Sequence, residues 1–584
     1  MKCCSRLNFD VKQSANLLTG MKLNPHMLRA YWFHVIPQRF QFSCRRWASK
    51  RSKAVNNNTW IVNENDLRKY SPAYKLEGEH ELYMVQQQHE RSKVRFQKLP
   101  LHENVQQGLY KNFPEIRYCT PVQMRIIRAF LMNRFSFMVR GWNGSGKSFS
   151  GLLAALSMYH EFMDKFSSVT NHGCQVLIVV PNKNLAQQYQ ARVEKLVSGE
   201  PLQEPLQKVS QVLEVSLFRI EEVKRNLPFI LIADYRDLER LKKLNHPILG
   251  QILTNLKTIV FDESDLYIPT EGRQRRLSAP EPRTSSTSLS SFIHLCREHS
   301  MSSKTNNDLS EKERQTKMKN GTWLPSLIFI SATNSWPCAD YVGSKVTNQL
   351  GVIGINRKFQ PYWNLNCSSK IQHFLIEATR DQRSDSLRME DVKYEYAREP
   401  NLHFSIGDAP LFYENVEMSA DMFVNLIRKT LLELYKDHRV KLAPKKNILI
   451  IIPKEFDVSW FCEKYQRIGT SLLRSFECYP LKGEGIPESH EQKQIAYVAN
   501  ASEIRGVYLP EVSHVFHLWS TLSAASYLHI AGRTGYLHKN GMVFNFLLPE
   551  FLRSQDFESL NCSRSALLVL QRIGVRPHRF FEEK

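Results

Sequence analysis

Two short stretches of this chain hold residue types at spacings that could handle a phosphate chain. GWNGSGKS at 141–148 fits the pattern G-x-x-x-x-G-K-[ST]. Gly144, Ser145 and Gly146 form a small-residue loop whose backbone N–H groups can curl around phosphate oxygens. Lys147 can reach the terminal phosphates, and Ser148 can offer its hydroxyl to Mg²⁺. Such a site needs an acid to hold the metal and a base to direct water, and FDESD at 261–265 supplies both. Asp262 can hold Mg²⁺ through water while the adjacent Glu263 polarises a nucleophilic water. Far downstream, HIAGRTGYL at 529–537 sets Arg533 among small and apolar residues. It raises the question of what a lone arginine does so far from Lys147.

The elements that must position these residues are legible as apolar runs. FSFMVR leads into the glycine loop and the helical spacing of FSGLLAALSMYH follows it, which is the strand–loop–helix context a phosphate loop requires. CQVLIVV, PFILIAD, KTIVFDE and SLIFISAT are short and rich in β-branched residues, as strands covered on both faces should be. A second series runs through NILIIIP, QIAYVAN, HVFHLW and MVFNFLL. With helical spacing between the runs, this predicts an α/β fold with two tandem domains built on parallel sheets. Residues 269–320 are rich in Ser, Thr and charge, and read as a polar surface insertion. Residues 378–402 are similarly polar.

Length and charge bound the rest. The 584 residues exceed what one core serves, and the 42% of hydrophobic residues can build two. The longest apolar runs fall far short of a bilayer, so no transmembrane helix is expected. The net charge is +22, and residues 1–55 hold eleven basic side chains against one acid, Asp10. An Arg-rich, acid-poor start with interspersed Leu, Phe and Trp has the composition of a mitochondrial transit peptide; the competing reading is a basic arm that binds nucleic acid. The remainder is still basic, which suits a polyanionic partner. Eleven scattered cysteines without a C-x-x-C pair argue against a zinc knuckle or a disulfide framework, and read as reduced thiols.

The order of CTPVQ at 119–123, GWNGSGKS, PNKNLAQQ at 181–188, ADYRD at 233–237, FDESD, SAT at 331–333 and HIAGRTGYL resembles the motif order of DEAD-box RNA helicases, over roughly residues 96–550. The resemblance implies two RecA-like domains that bind ATP and Mg²⁺ in their cleft and RNA across both. By similarity, Gln123 would read the adenine edge with Phe96 as its stacking partner. Ser331, Thr333, Asp265 and His529 would couple phosphate state to domain arrangement. Pro181, Asn182 and Lys183, standing where the family has Pro-Thr-Arg, would contact RNA together with Arg236, Arg505 and Gly506. Arg533 would match one of the family's two arginine fingers, acting with Glu263 in hydrolysis.

The second half departs from the pattern. Ile530 and Tyr536 replace two arginines of the last motif, Tyr508 replaces an aspartate in EIRGVYLP, and only about ten residues separate GEG at 483–485 from IAYVAN. With these departures, the resemblance implies an ATP-dependent RNA-remodelling protein of mitochondrial mRNA translation or ribosome assembly, with slow hydrolysis. Its partners would be RNA and mitochondrial RNA-binding or ribosomal proteins, and its place the matrix. The rival reading is a pseudo-helicase scaffold with little or no ATPase activity. The expected division is a targeting segment at 1–55, an extension at 56–95, a first RecA-like domain at 96–350, a link at 351–445, and a second domain with a helical tail at 446–584.

Overall fold

In the computed structural model the described residues are 59–61, 94–132, 136–141, 143–166, 173–198, 209–213, 227–268, 289, 292–296, 325–334, 336–347, 350–354, 370–380, 387–392, 411–436, 446–468, 475–481, 494–509, 511–520, 524–535, 540–554, 562–573 and 575–581. The 1–55 segment, Tyr536 and GEG at 483–485 lie outside them, as does most of 269–320.

Runs such as VLIVV, and ILIAD apart from its terminal Asp234, are apolar throughout and form strands buried on both faces, and each needs helices above and below. An eight-stranded parallel sheet results. Its strands are β1 (Thr59–Ile61), β2 (Ser136–Arg140), β3 (Val176–Val180), β4 (Ser210–Leu213), β5 (Ile230–Asp234), β6 (Thr258–Asp262), β7 (Ser326–Ser331) and β8 (Leu350–Ile353), in the order β1-β8-β2-β7-β6-β3-β5-β4. Alternate residues on each strand face opposite sides. Val176, Ile178 and Ile328 meet helices α1 (Glu103–Asn112), α2 (Pro121–Met132), α3 (Lys147–Lys165) and α4 (Lys183–Val197) on one face. Leu177, Ile259 and Phe329 meet α5 (Tyr235–Lys243), α6 (Pro247–Thr254) and α7 (Trp336–Tyr341) on the other.

A second sheet holds β9 (Ile371–Arg380), β10 (Leu387–Asp391), β12 (Ile448–Ile452), β13 (Phe476–Pro480), β14 (Gln494–Asn500), β15 (His514–Leu518) and β16 (Gly541–Leu547), in the order β10-β9-β16-β15-β12-β14-β13. All its pairings are parallel except β10 with β9. β11 (Leu411–Tyr413) and β17 (Leu552–Ser554) form a small antiparallel pair. Of the second-half helices, α9 (Val458–Ile468) packs on β13 and β14 and α8 (Val416–Leu434) packs on α9. Likewise α11 (Cys562–Arg572) packs on α10 (Ala524–Ala531). Both sheets belong to one compact unit, Asn58–Lys584. No described helix is long and apolar enough to cross a membrane.

Three expectations need correction. The stretch read as an extension at 56–95 supplies β1, which pairs in parallel with β8 of the first sheet. Residues 351–445 are not a link: β8 completes the first sheet, while β9, β10 and α8 already belong to the second. Within the stretch read as a polar insertion, residues 292–296 are helical, and Leu289, Phe292, Ile293 and Cys296 are buried in the first core, with Phe292 edge-on to Phe261 at 6.5 Å. A short apolar cluster inside a long polar stretch is masked by its flanks.

Candidate active site between the two sheets

β2, β7 and β6 are neighbours, and their registers pair Arg140 with Ser331 and Ile330 with Asp262. The glycine loop, SAT and FDESD therefore leave the sheet side by side at its carboxyl edge, where α/β sheets bind ligands. Gly146 sits at φ +79°, and a Cβ there would lie 2.1 Å from Gln123 Nε2, so only glycine fits. Gln123 and Thr120 bond reciprocally: Thr120 N–H donates to Oε1 at 2.8 Å and Gln123 N–H to Thr120 Oγ1 at 3.1 Å. Thr120 Oγ1 in turn donates to the Ser145 carbonyl at 2.9 Å. In this structure Gln123 thus braces the phosphate loop from behind. Phe96, expected to stack on a base, is fully buried in the first core and presents no open ring face; its bulk is spent on packing.

Lys147 is buried, with Nζ donating to the Gly141 carbonyl at 2.6 Å and lying 3.4 Å from Ser145 Oγ. Burial lowers its pKa to about 8, opposed by Glu263 and Asp262 and reinforced by Arg533. The arginine from the far end of the chain is thus close enough to act on the loop lysine. Its Nε donates to the His529 carbonyl at 3.0 Å, and its guanidinium also holds the Val507 carbonyl.

Asp262 ends β6 with only 1% of its surface exposed. Burial and then Glu263 raise its pKa to about 6, against hydrogen bonds from Ser148 and Tyr189 and the charge of Lys147. Ser148 and Asp262 thus meet at the loop as hard oxygen donors, a set that suits Mg²⁺. Glu263 adopts φ +52°, a left-handed conformation that costs a β-carbon residue energy and turns its carboxylate toward the second sheet. There His529 Nδ1 lies 3.3 Å from Glu263 Oε2, and Nε2 lies 3.5 Å from Asp265 Oδ2.

Asp265 is the junction. Ser331 Oγ donates to its Oδ1 at 2.6 Å and Arg505 to its Oδ2 at 2.9 Å. Burial alone would raise this carboxyl, but Arg505, His529 and the hydrogen bonds outweigh it and hold the group well below the usual carboxylate range. Thr333 N–H bonds Ser331 Oγ at 3.1 Å, so the SAT triplet is tied to the same junction. Ser331, Thr333, Asp265 and His529 are thereby brought together in one cluster. Arg505 and Gly506, expected on the RNA surface, are instead inside this contact: Arg505 is 7% exposed, and a Cβ on Gly506 would lie 2.4 Å from Leu185 Cδ2 and 3.2 Å from Glu263 Cγ.

Asn182 also leaves the expected RNA surface. It caps α4 by accepting from Leu185 N–H at 2.9 Å, and its Nδ2 donates to the carbonyls of Ser502 at 3.1 Å and Arg505 at 3.0 Å. Asn143 donates to the Leu528 carbonyl at 3.0 Å, and Gln188 makes a two-bond pair with the Tyr508 backbone at 2.6 and 2.8 Å. Asn143, Gln188 and Tyr189 escaped the sequence reading; the available signals were the amide in GWNGSGKS for Asn143 and the amide-rich PNKNLAQQYQ for Gln188. Lys183 stays exposed and Pro181 half-buried, while Arg236 pairs with Asp234 at 2.8 Å and keeps 60% of its side chain in solvent. Four cations, Lys183, Arg236, Arg240 and Lys454, and five acids, Asp234, Asp237, Glu455, Asp457 and Glu503, line a cleft of about 600 Å³ between the two sheets.

The family profile of DEAD/DEAH box helicases matches residues 120–284. The chain is 36% identical over 586 residues to the mitochondrial translation ATP-dependent RNA helicase mrh5 of Schizosaccharomyces pombe, covering 99% of each. Against the mitochondrial ATP-dependent RNA helicase mss116 of Aspergillus oryzae it is 28% identical over 156 residues, 26% of this chain and 23% of that one. Its fold is similar to the solved structure of the DEAD-box helicase Mss116 bound to single-stranded RNA and UDP-BeF, with TM-score 0.50 and 17% identity over 79% of this chain and 77% of the other. A phosphate loop, FDESD and SAT aligned on one sheet edge agree with an end-to-end match to such a relative, and the chain belongs to the DEAD/DEAH box helicase family.

Proposed function

We propose that this protein binds ATP with Mg²⁺ between its two sheets, closes on single-stranded or locally opened RNA, and releases it on hydrolysis, acting on RNA in mitochondrial translation. The observation that carries the reading is the composite site: Lys147, Asp262 and Glu263 of the first sheet face His529 and Arg533 of the second. Lys147 and the loop amides bind the phosphates, with Ser148 and Asp262 holding Mg²⁺. When bound, the ion neutralises phosphate charge. Glu263 orients the attacking water and accepts its proton, and Arg533 meets the charge that develops on the transferring group. Asp265, bonded to both Ser331 and Arg505, links the phosphate end of β7 to the second sheet.

RNA backbone phosphates meet the exposed cations Lys183 and Arg236; the five carboxylates in the cleft beside them limit the contact to those side chains rather than the cleft as a whole. The end-to-end relative named for mitochondrial translation supports the setting, and the acid-poor start of the chain supports import into the matrix. Mitochondrial RNA-binding or ribosomal proteins are the second class of partner. The first domain takes β1 at Thr59–Ile61 together with residues 96–354, and the second begins at about 371, as the strand memberships suggest. Glu263→Gln tests the reading, because it keeps the phosphate contacts and removes the base. The variant should hold RNA in the presence of ATP while hydrolysing it at least about 100-fold more slowly than wild type. A wild type that turns over no ATP with any RNA would support the scaffold reading instead.

A further inference from the structure

Tyr189 follows Gln188 on α4, but its side chain runs inward rather than toward the second sheet. The ring is 1% exposed, and its hydroxyl donates to Asp262 Oδ2 at 2.8 Å, with the Ser148 carbonyl 3.4 Å away. The other carboxylate oxygen of Asp262 accepts the Glu263 N–H at 3.1 Å. Both oxygens of the metal-side acid are therefore oriented, one by the backbone and one by a phenol from a different helix. In such a pair the protonated phenol is the donor and the carboxylate the acceptor. A carboxylate turns easily about its last torsion, which is broad and roughly two-fold. A fixed donor at Oδ2 removes that freedom.

We propose that Tyr189 is a positioning residue for magnesium, whose hydroxyl sets the orientation in which Asp262 presents its carboxylate beside Ser148. The inference rests on the reading of Ser148 and Asp262 as the magnesium pair. Partners that hydrogen-bond a metal's carboxylate ligand set its aim and basicity, and losing one typically costs about 10–100-fold in metal affinity. Phenylalanine would fill the same space in the core with the same ring, so the hydroxyl alone carries the effect. Because Gln188, the preceding residue, holds the Tyr508 backbone in the segment between β14 and β15, one turn of α4 joins the metal acid to the contact between the halves.

The test uses the full chain and its Tyr189→Phe variant, with a fluorescent ATP analogue titrated at a series of free Mg²⁺ concentrations and in EDTA. Wild-type affinity should rise with Mg²⁺. In Tyr189→Phe the Mg²⁺ midpoint should move up about 10-fold or more, with affinity in EDTA unchanged. Electron paramagnetic resonance of Mn²⁺ with nucleotide should give the same ratio of metal affinities without the fluorophore, and a cooperative thermal transition reports that the variant is folded. An unchanged midpoint overturns the proposal, and so does a lower one, which would mean that the hydroxyl competes with the metal. If wild-type affinity does not depend on Mg²⁺ at all, the assignment of Ser148 and Asp262 fails and takes the inference with it.

Discussion

A buried lysine facing two carboxylates and an arginine has little to do until a polyanion arrives. Lys147 loses affinity for its proton through burial, and ATP phosphates would restore it. Lys147→Ala should weaken ATP binding roughly 10–100-fold, the loss of one strong charge-assisted hydrogen bond, in an equilibrium titration. Asp262 gives a pH-dependent prediction. Its folded pKa, about 6, lies above the ordinary 3.8, so ionisation costs the folded state stability above pH 6, and the cost fades as pH falls from about 6 to 4. Asp262→Asn should therefore raise the Tm of the free protein above pH 6 by an amount worth at most about 3 kcal/mol, less what Asn loses as an acceptor. Below about pH 4 the two melting curves should coincide. The same variant should lose the Mg²⁺ dependence of nucleotide binding. The phosphate loop, Asp262 and Glu263 were legible because their chemistry depends on local spacing. Arg505, Gly506 and Asn182 were not, because the carbonyls and carboxylates they meet are hundreds of residues away in the chain.

At the scale of elements, α4 connects the first sheet's acids to the second half. It begins with the Asn182 cap, turns Gln188 toward the second sheet and Tyr189 toward Asp262. Gln188→Ala removes two hydrogen bonds to the Tyr508 backbone at an exposed site, a loss of roughly 1–2 kcal/mol or a factor of about 5–30. RNA dissociation from the complex with a non-hydrolysable ATP analogue should speed up by that factor, while ATP binding in the absence of RNA stays the same. The stretch 269–320 shows why composition can mislead. Its Ser, Thr and charge describe most of it correctly as polar, yet Phe292 sits 2% exposed beside Phe261. Phe292→Ala should cost about 3–5 kcal/mol in denaturant unfolding, because it empties a packed site. β9 was missed for a related reason: IQHFLIEATR mixes His, Gln and Glu into an apolar strand, whereas ILIII and VLIVV have no such interruption.

Across the whole molecule, the two-sheet architecture was readable from strand-length apolar runs, and every run read as a strand is one. What the runs could not reveal was how the halves meet, since a contact between carboxyl edges is made by amides, glycines and ion pairs that carry no periodic signal. In the structure that contact brings polar groups of both halves together: the glycine loop and acids of one, His529 and Arg533 of the other. The departures in the second half fall on Ile530, Tyr536 and Tyr508, and they leave Arg533 in place. The most direct test of this account is RNA-stimulated ATP hydrolysis by the full chain and its Arg533→Ala variant at saturating ATP and RNA. Arg533→Ala should lower turnover by roughly 10³-fold or more, the scale of an arginine acting on a transferring phosphoryl group, with ATP affinity unchanged within about twofold. Turnover equal to wild type would contradict the account, because the second half would then supply no reacting group to the ATP bound by the first.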